Sequence, residues 1–121
     1  MELLYKDLTN KIIRCFLNVF DELGRGFLES VYENAMMLEL HDMGLEAQNQ
    51  KELKVFYRGE VVGVFRSDII VENKVLIEIK AARALVPAHD AQLVNYLKVT
   101  GIKVGLLLNF GEKPDFSRRI L

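Results

Sequence analysis

Three charged side chains stand inside a stretch that is otherwise apolar and β-branched. They are Asp68 in Ser67-Asp68-Ile69-Ile70-Val71, and Glu78 and Lys80 in Val75-Leu76-Ile77-Glu78-Ile79-Lys80. Successive strand side chains point to opposite faces, so Glu78 and Lys80 share one face and Ile77 and Ile79 the other. The side that Asp68 joins depends on the turn. A two-residue loop of Glu72-Asn73 or Asn73-Lys74 puts Asp68 with Ile77 and Ile79. A three-residue loop, Glu72-Asn73-Lys74, pairs Val71 with Val75 and sets Asp68 opposite Glu78. That loop needs a left-handed residue without a glycine, at Asn73 or Lys74, with Asn73 the less strained. The two carboxylates would then have Cβ atoms about 5 Å apart and repel. Lys80, one diagonal step away, offsets part of this repulsion, and a hard divalent ion with oxygen ligands would offset more. The same pattern also fits a strand whose charges simply face water.

The elements that must position these groups follow from periodicity. From Thr9 to Leu23 apolar residues recur at Ile12, Ile13, Phe16, Leu17, Val19, Phe20 and Leu23, which predicts a core helix stopped by Gly24. A second helical pattern runs from Phe27 to Met43 and ends at Gly44. The period then becomes extended, with strands expected at Gln50 to Tyr57, Glu60 to Val71 and Val75 to Ala82, the first hairpin turning at Arg58-Gly59. Gly63 marks a bulge or bend. Pro87 opens a third helix that Gly101 closes, and Ile102 to Phe110 reads as a buried strand. Strand, helix, strand implies a right-handed crossover, with the last strand parallel to the third. Gly111 to Leu121 is expected to be a turn and a short terminal helix. The whole is an α/β domain with a mixed four-stranded sheet flanked by helices, in the order α-α-β-β-β-α-β.

With 121 residues, half of them hydrophobic, the chain reads as one domain over residues 1–121. At that length it buries roughly 65 % of its unfolded surface. No apolar run approaches a bilayer span, and residues 1–7, which carry acids and have no apolar core followed by small residues, do not read as a secretory signal. Cys15 stands alone in a helical pattern, which excludes an internal disulfide and suits a reducing, cytoplasmic setting. A net charge of -1 argues against tight, sequence-independent binding of long DNA by a monomer. It leaves a nucleic-acid substrate open, because a bound metal raises the local potential that its acidic ligands lower.

Two further groups are candidates. Glu29 lies in the first turn of the second helix, where an acid also complements the helix dipole. Gln92 and Tyr96, four apart on the third helix, share one face with His89 a turn earlier. The two histidines, His41 and His89, are too far apart and too differently placed to make a zinc site.

Taken together, Gly26-Phe27-Leu28-Glu29-Ser30-Val31-Tyr32, Asp68, Glu78-Ile79-Lys80-Ala81, the His89 to Leu97 segment with Gln92-Leu93-Val94-Asn95-Tyr96, and the ending from Thr100-Gly101 to Asn109-Phe110 resemble the GxxExxY proteins of the PD-(D/E)XK nuclease superfamily. The Gln92 to Tyr96 run is similar to the QxxxY motif of its RecB-like members. The resemblance covers nearly the whole chain and implies a restriction-endonuclease-like fold. It implies Mg²⁺ or Mn²⁺ held by Asp68, Glu78 and the Ile79 carbonyl, with Lys80 orienting or activating a water that attacks a phosphodiester in line. Glu29 would hold a metal-bound water or a second ion, and Gln92 and Tyr96 would position Lys80, the water or a phosphate. The partner implied is nucleic acid. The alternative is a nuclease-fold module that binds nucleic acid or a protein partner, or pairs with its own copy, without turnover.

Overall fold

The structure, a computed structural model, describes residues 4–121. Residues 1–3 of the segment read as carrying no secretory signal therefore lie outside the described residues. Helix α1 (Lys6–Leu23) buries Ile12, Cys15, Phe16 and Val19, and Gly24, at φ 67°, ends it by donating its N–H to the Phe20 carbonyl. The Cys15 thiol is pushed up to about 11, first by burial and then by Glu39, so it is held protonated and poorly nucleophilic.

Helix α2 (Glu29–Asp42) starts two residues later than its apolar pattern suggests, because Leu28 is extended at its N-cap and Gly26 takes φ 107°. Tyr32 closes this loop. Its hydroxyl donates to the Gly24 carbonyl at 2.7 Å and accepts the Phe27 N–H at 3.2 Å, while its ring stacks on Phe110 at 4.1 Å.

Five strands form one sheet in sequential order: β1 (Ala47–Tyr57), β2 (Glu60–Val71), β3 (Val75–Lys80), β4 (Val104–Phe110) and β5 (Pro114–Ile120). Helix α3 (Pro87–Thr100) makes the crossover that leaves β4 parallel to β3, and every other pairing is antiparallel. Strands β3 and β4 read as continuous apolar runs because both their faces are covered. On one face Ile69, Val71, Ile77, Ile79, Leu106, Leu108 and Phe110 meet α1 and α2. On the other Ile70, Leu76 and Leu107 meet Leu93 and Leu97 of α3.

The sheet thus has five strands where the periodicity indicated four, and the expected terminal helix is strand β5. Its alternation is real but mostly polar. Ser117 donates to Asp90 on α3 at 2.8 Å and Arg119 pairs with the same carboxylate at 3.2 Å, while Arg118, on the opposite side, reaches the Leu4 carbonyl. An edge strand with one half-wet face offers little hydrophobic contrast from which to read its period.

Strand β2 contains the expected irregularity beside Gly63. The pairing with β1 steps from Val55 opposite Gly63 to Phe56 opposite Val61, which leaves Val62 as the extra residue of a bulge. Among the described residues no helix is long and apolar enough to cross a membrane.

Candidate active site

The turn after β2 has three residues. Val71 pairs with Val75, and Ile70 and Ile69 follow opposite Leu76 and Ile77. The left-handed positions are Glu72 and Asn73, at φ 53° and 54°, so Lys74 is spared and Glu72 is strained instead. The Lys74 N–H then closes the turn on the Val71 carbonyl at 2.9 Å. One further step of this register brings Asp68 to Glu78. There the ladder stops, and the Asp68 side chain takes the place of a backbone acceptor by receiving the Ile79 N–H at Oδ2, 2.7 Å away. In an antiparallel pair a residue's N–H and C=O point to the same strand edge. The Ile79 carbonyl therefore opens toward Asp68, beyond the last β2 partner.

Glu78 is 5 % exposed, and its Oε1 is buried without a hydrogen-bond partner. Burial, and then the Asp68 carboxylate beside it, push its carboxyl up to about 9, against a smaller opposing pull from Lys80. The same pressure reaches the site from α2. Glu33 is buried there, its Oε1 accepting from the Gln50 amide at 2.7 Å and its Oε2 from the Asn49 amide at 3.2 Å. Burial raises its carboxyl, the two amides pull it back, and Asp68 raises it again. Asp68 therefore stands between two carboxyls that it perturbs.

Lys80 and the α3 pair form a relay. Lys80 Nζ donates to Gln92 Oε1 at 3.1 Å, and Gln92 Nε2 donates to the Tyr96 hydroxyl at 2.9 Å. The Tyr96 hydroxyl is raised by burial and then by Glu78 and Asp68, which places this end of α3 in the field of the carboxylates. The Tyr96 ring stacks on Phe65 at 4.1 Å and 14°. Phe65 has the same parity as Ile69 and Val71, yet these pack toward α1 and α2 while Phe65 meets α3. The alternation of β2 is broken between them, where Gln50 of β1, left-handed at φ 53°, stands opposite Asp68 without being paired to it.

Of the residues picked out in the sequence, Asp68, Ile79, Glu78, Lys80, Gln92 and Tyr96 converge. Glu29 begins α2, exposed, one helical turn before Glu33 on the same face, and makes no hydrogen bond to the cluster among the described residues. His89 is used locally, its Nδ1 accepting the Val86 N–H at the start of α3.

Sequence reasoning misses Glu33, the amides of Asn49 and Gln50, Phe65, and a clamp behind Lys80. In that clamp Asn109, buried in β4 opposite Lys80, accepts the Ala82 N–H and donates to the Ala82 carbonyl, both at 2.9 Å. A Cβ on Gly111 would lie 2.4 Å from the same carbonyl oxygen, so that glycine lets the segment after Lys80 lie flat on β4. A lone amide in the run Leu106-Leu107-Leu108-Asn109-Phe110 is the signal that could have found it, since a buried polar side chain must find partners.

The profile of the PD-(D/E)XK nuclease superfamily matches residues 6–120. The chain belongs to this superfamily. Its Glu78-Ile79-Lys80 run has the pattern that the superfamily's name spells (D/E)XK, and an aspartate, Asp68, precedes it. Among solved folds, the crystal structure of SSO0001 matches this PD-(D/E)XK chain with a TM-score of 0.59 at 18 % identity, over 96 % of the chain. The alignment takes in 57 % of SSO0001's own length, and at that identity the likeness is one of fold. No curated protein matches the chain.

The donor set fits a hard ion. It offers two carboxylates and a carbonyl, with one buried carboxylate oxygen unpartnered. Among the described residues no three His, Cys, Asp or Glu side chains form a cage, and hard divalent ions bound by one or two carboxylates keep water in the rest of the shell.

Proposed function

We propose that this chain is a divalent-metal-dependent nuclease that hydrolyses phosphodiester bonds of DNA or RNA. The observation that carries the reading is the unpartnered, buried Glu78 Oε1 pressed against Asp68, because a carboxylate pair left so is costly unless a proton or a cation joins it. Asp68, Glu78 and the Ile79 carbonyl are the groups that would hold Mg²⁺ or Mn²⁺. The ion, when bound, supplies Lewis-acid stabilisation of charge on the phosphate oxygens.

The chain's own groups do the rest. Lys80 orients the attacking water and offsets the negative charge that grows on the phosphorus-bound oxygens as attack proceeds in line. Gln92 fixes the Lys80 ammonium through its Oε1 and is itself fixed by Tyr96, so the charge is placed before substrate arrives. Asn109 and Gly111 set the backbone from which Lys80 projects.

On α2 two acids are in line for the further role, Glu29 by its place in the motif and Glu33 by its reach to Asp68. Glu33 is the better placed of the two, and Glu29 is left to act on substrate or solvent at the mouth. The spacing Gly26, Glu29, Tyr32 supports the GxxExxY branch of the superfamily. Its ends have clear work to do, a positive φ at the glycine and a loop clamp at the tyrosine. The lone, buried Cys15 supports a cytoplasmic setting.

The test is cleavage of single-stranded DNA, duplex DNA and RNA with Mg²⁺, with Mn²⁺ and with EDTA, beside Lys80→Ala. Metal-dependent cleavage that Lys80→Ala abolishes is expected. Wild type that cleaves none of them, with Lys80→Ala altering binding alone, would replace the nuclease with a non-catalytic module for nucleic acid or a protein partner.

A further inference from the structure

Strand β2 pairs with β3 only over Ile69, Ile70 and Val71, and its remainder pairs with β1 alone. Residues 51 to 66 therefore form a two-stranded arm that leaves the sheet at Asp68. A ribbon of this kind is marginal by itself; here Leu53, Val55 and Phe65 on one face are half-buried, Phe65 against Tyr96 of α3, while the other face is exposed. Near its tip Phe56 is 62 % exposed and Tyr57 57 %, with the Arg58 guanidinium 5.1 Å from the Tyr57 ring centroid. Val61, Val62 and Val64 are exposed beside them.

The charge of the arm differs from that of the rest. Lys51, Lys54, Arg58 and Arg66 stand against Glu52 and Glu60, giving +2. The whole chain is -1, so the remainder carries -3. Arg66 is spent on Glu52 at 3.6 Å and on the Gln50 carbonyl. Among the described residues Lys51, Lys54 and Arg58 make no ion pair. At the root, the Phe65 and Tyr96 stack is one hydrogen bond from Gln92, which holds Lys80.

We propose that the arm is a track for single-stranded nucleic acid that feeds the strand into the Asp68 and Lys80 site. This rests on the nuclease reading for its destination, though not for the binding itself. Aromatic rings and a guanidinium plane recognise base faces, and those faces are available only where bases are unpaired. Three cations are too few for the phosphate contacts on which duplex affinity rests. An arm of six residue pairs, from Glu52 opposite Arg66 to Tyr57 opposite Glu60, is about 20 Å long, room for about six stacked nucleotides at ~3.4 Å each. A protein partner would also suit the exposed valines. It would give no reason for the cations, or for the Phe65 and Tyr96 stack at the root beside Gln92, the partner of Lys80.

The experiment measures binding of a fluorescent oligothymidylate, and of a duplex of equal length, to the full chain in EDTA. Wild type is compared with Tyr57→Ala, Arg58→Ala and Phe56→Ala. The expected result is preference for the single strand, weakened roughly tenfold or more by Tyr57→Ala. Arg58→Ala should lower the salt slope by about 0.7. All three sites are exposed, so unchanged melting temperatures would exclude misfolding as the cause.

Single-strand binding that the three variants leave unaltered would overturn the proposal, as would equal loss of duplex binding. A wild-type dimer that Phe56→Ala converts to monomer, with oligonucleotide binding intact, would assign the arm to self-association instead. Hydrolysis of a small aryl phosphodiester with Mn²⁺ separates this proposal from the nuclease reading. Arm variants should retain it and Lys80→Ala should lose it. If wild type hydrolyses no diester yet the arm variants lose the single strand, the track stands and the nuclease falls.

Discussion

Glu78→Gln removes the acid on which the electrostatic argument turns while keeping its shape. In the metal-free chain this carboxyl is held up to about 9 from an ordinary 4.5, by burial first and Asp68 second. Between those values the folded chain keeps a proton that the unfolded chain has released, so stability must fall as pH rises. The contribution is whole below 4.5 and is lost progressively as pH climbs toward 9. Each pH unit in that window costs about 1.4 kcal/mol, so moving from about pH 5.5 to about pH 8 costs about 3 kcal/mol. At ~4 °C per kcal/mol for a chain of this size, the melting temperature drops by about 12 °C. Water entering the cluster makes this an upper bound.

Thermal melts in EDTA across that range provide the measurement. The difference between wild type and Glu78→Gln cancels the other titrating groups to first order, and the variant should lack most of the slope. Mn²⁺ takes the proton's place, so it should restore wild type at pH 8 and leave Glu78→Gln nearly unmoved. The reasoning fails if wild type in EDTA melts alike at both pH values, or if Glu78→Gln follows its slope.

Lys80→Ala should lower cleavage on the order of 10²-fold or more while leaving the Mn²⁺-induced rise in melting temperature in place, read by activity and melts on one preparation. Glu33→Gln turns an amide donor toward those of Asn49 and Gln50 and should cost about 1–3 kcal/mol. Glu29→Gln, exposed, should stay within about 0.5 kcal/mol, and denaturant unfolding of the two variants decides which acid of α2 is built into the cluster. Gly111→Ala drives a methyl into the Ala82 carbonyl, 2.4 Å from the new Cβ. It should cost about 1–3 kcal/mol and reduce cleavage more than the lost stability explains, measured well below the variant's melting temperature.

The sequence leaves two hairpin registers open, because loop length alone decides which residues share a face, and the structure has the three-residue loop that puts Asp68 and Glu78 together. The helices are legible from broad apolar stripes ended by Gly24, Gly44 and Gly101. Strand β5 is not, since the side chains it turns to α3 are Ser117 and Arg119, which meet Asp90 rather than a hydrophobic core. Glu33 is hidden for a different reason. Its position one turn after Glu29 is plain in the sequence, but nothing local says that Gln50 turns left-handed and presents its amide there.

These failures of local reading fall mostly in one place. At Gln50 the pairing of β1 with β2 lapses, at Asp68 a carboxylate replaces a backbone acceptor for Ile79, and at Asn109 a side-chain amide continues the β3 and β4 ladder that the backbone has abandoned. Three neighbouring ladders thus give up regular pairing around Asp68, Glu78 and Lys80. A sheet that kept its ladders there would have no gap in which carboxylates could meet a substrate. Sequences violate their own local rules chiefly where function demands it. The cluster of lapsed pairings supports the site by a route other than the motif, because the regular ladders lapse or end beside Asp68, at Ile77 and at Lys80.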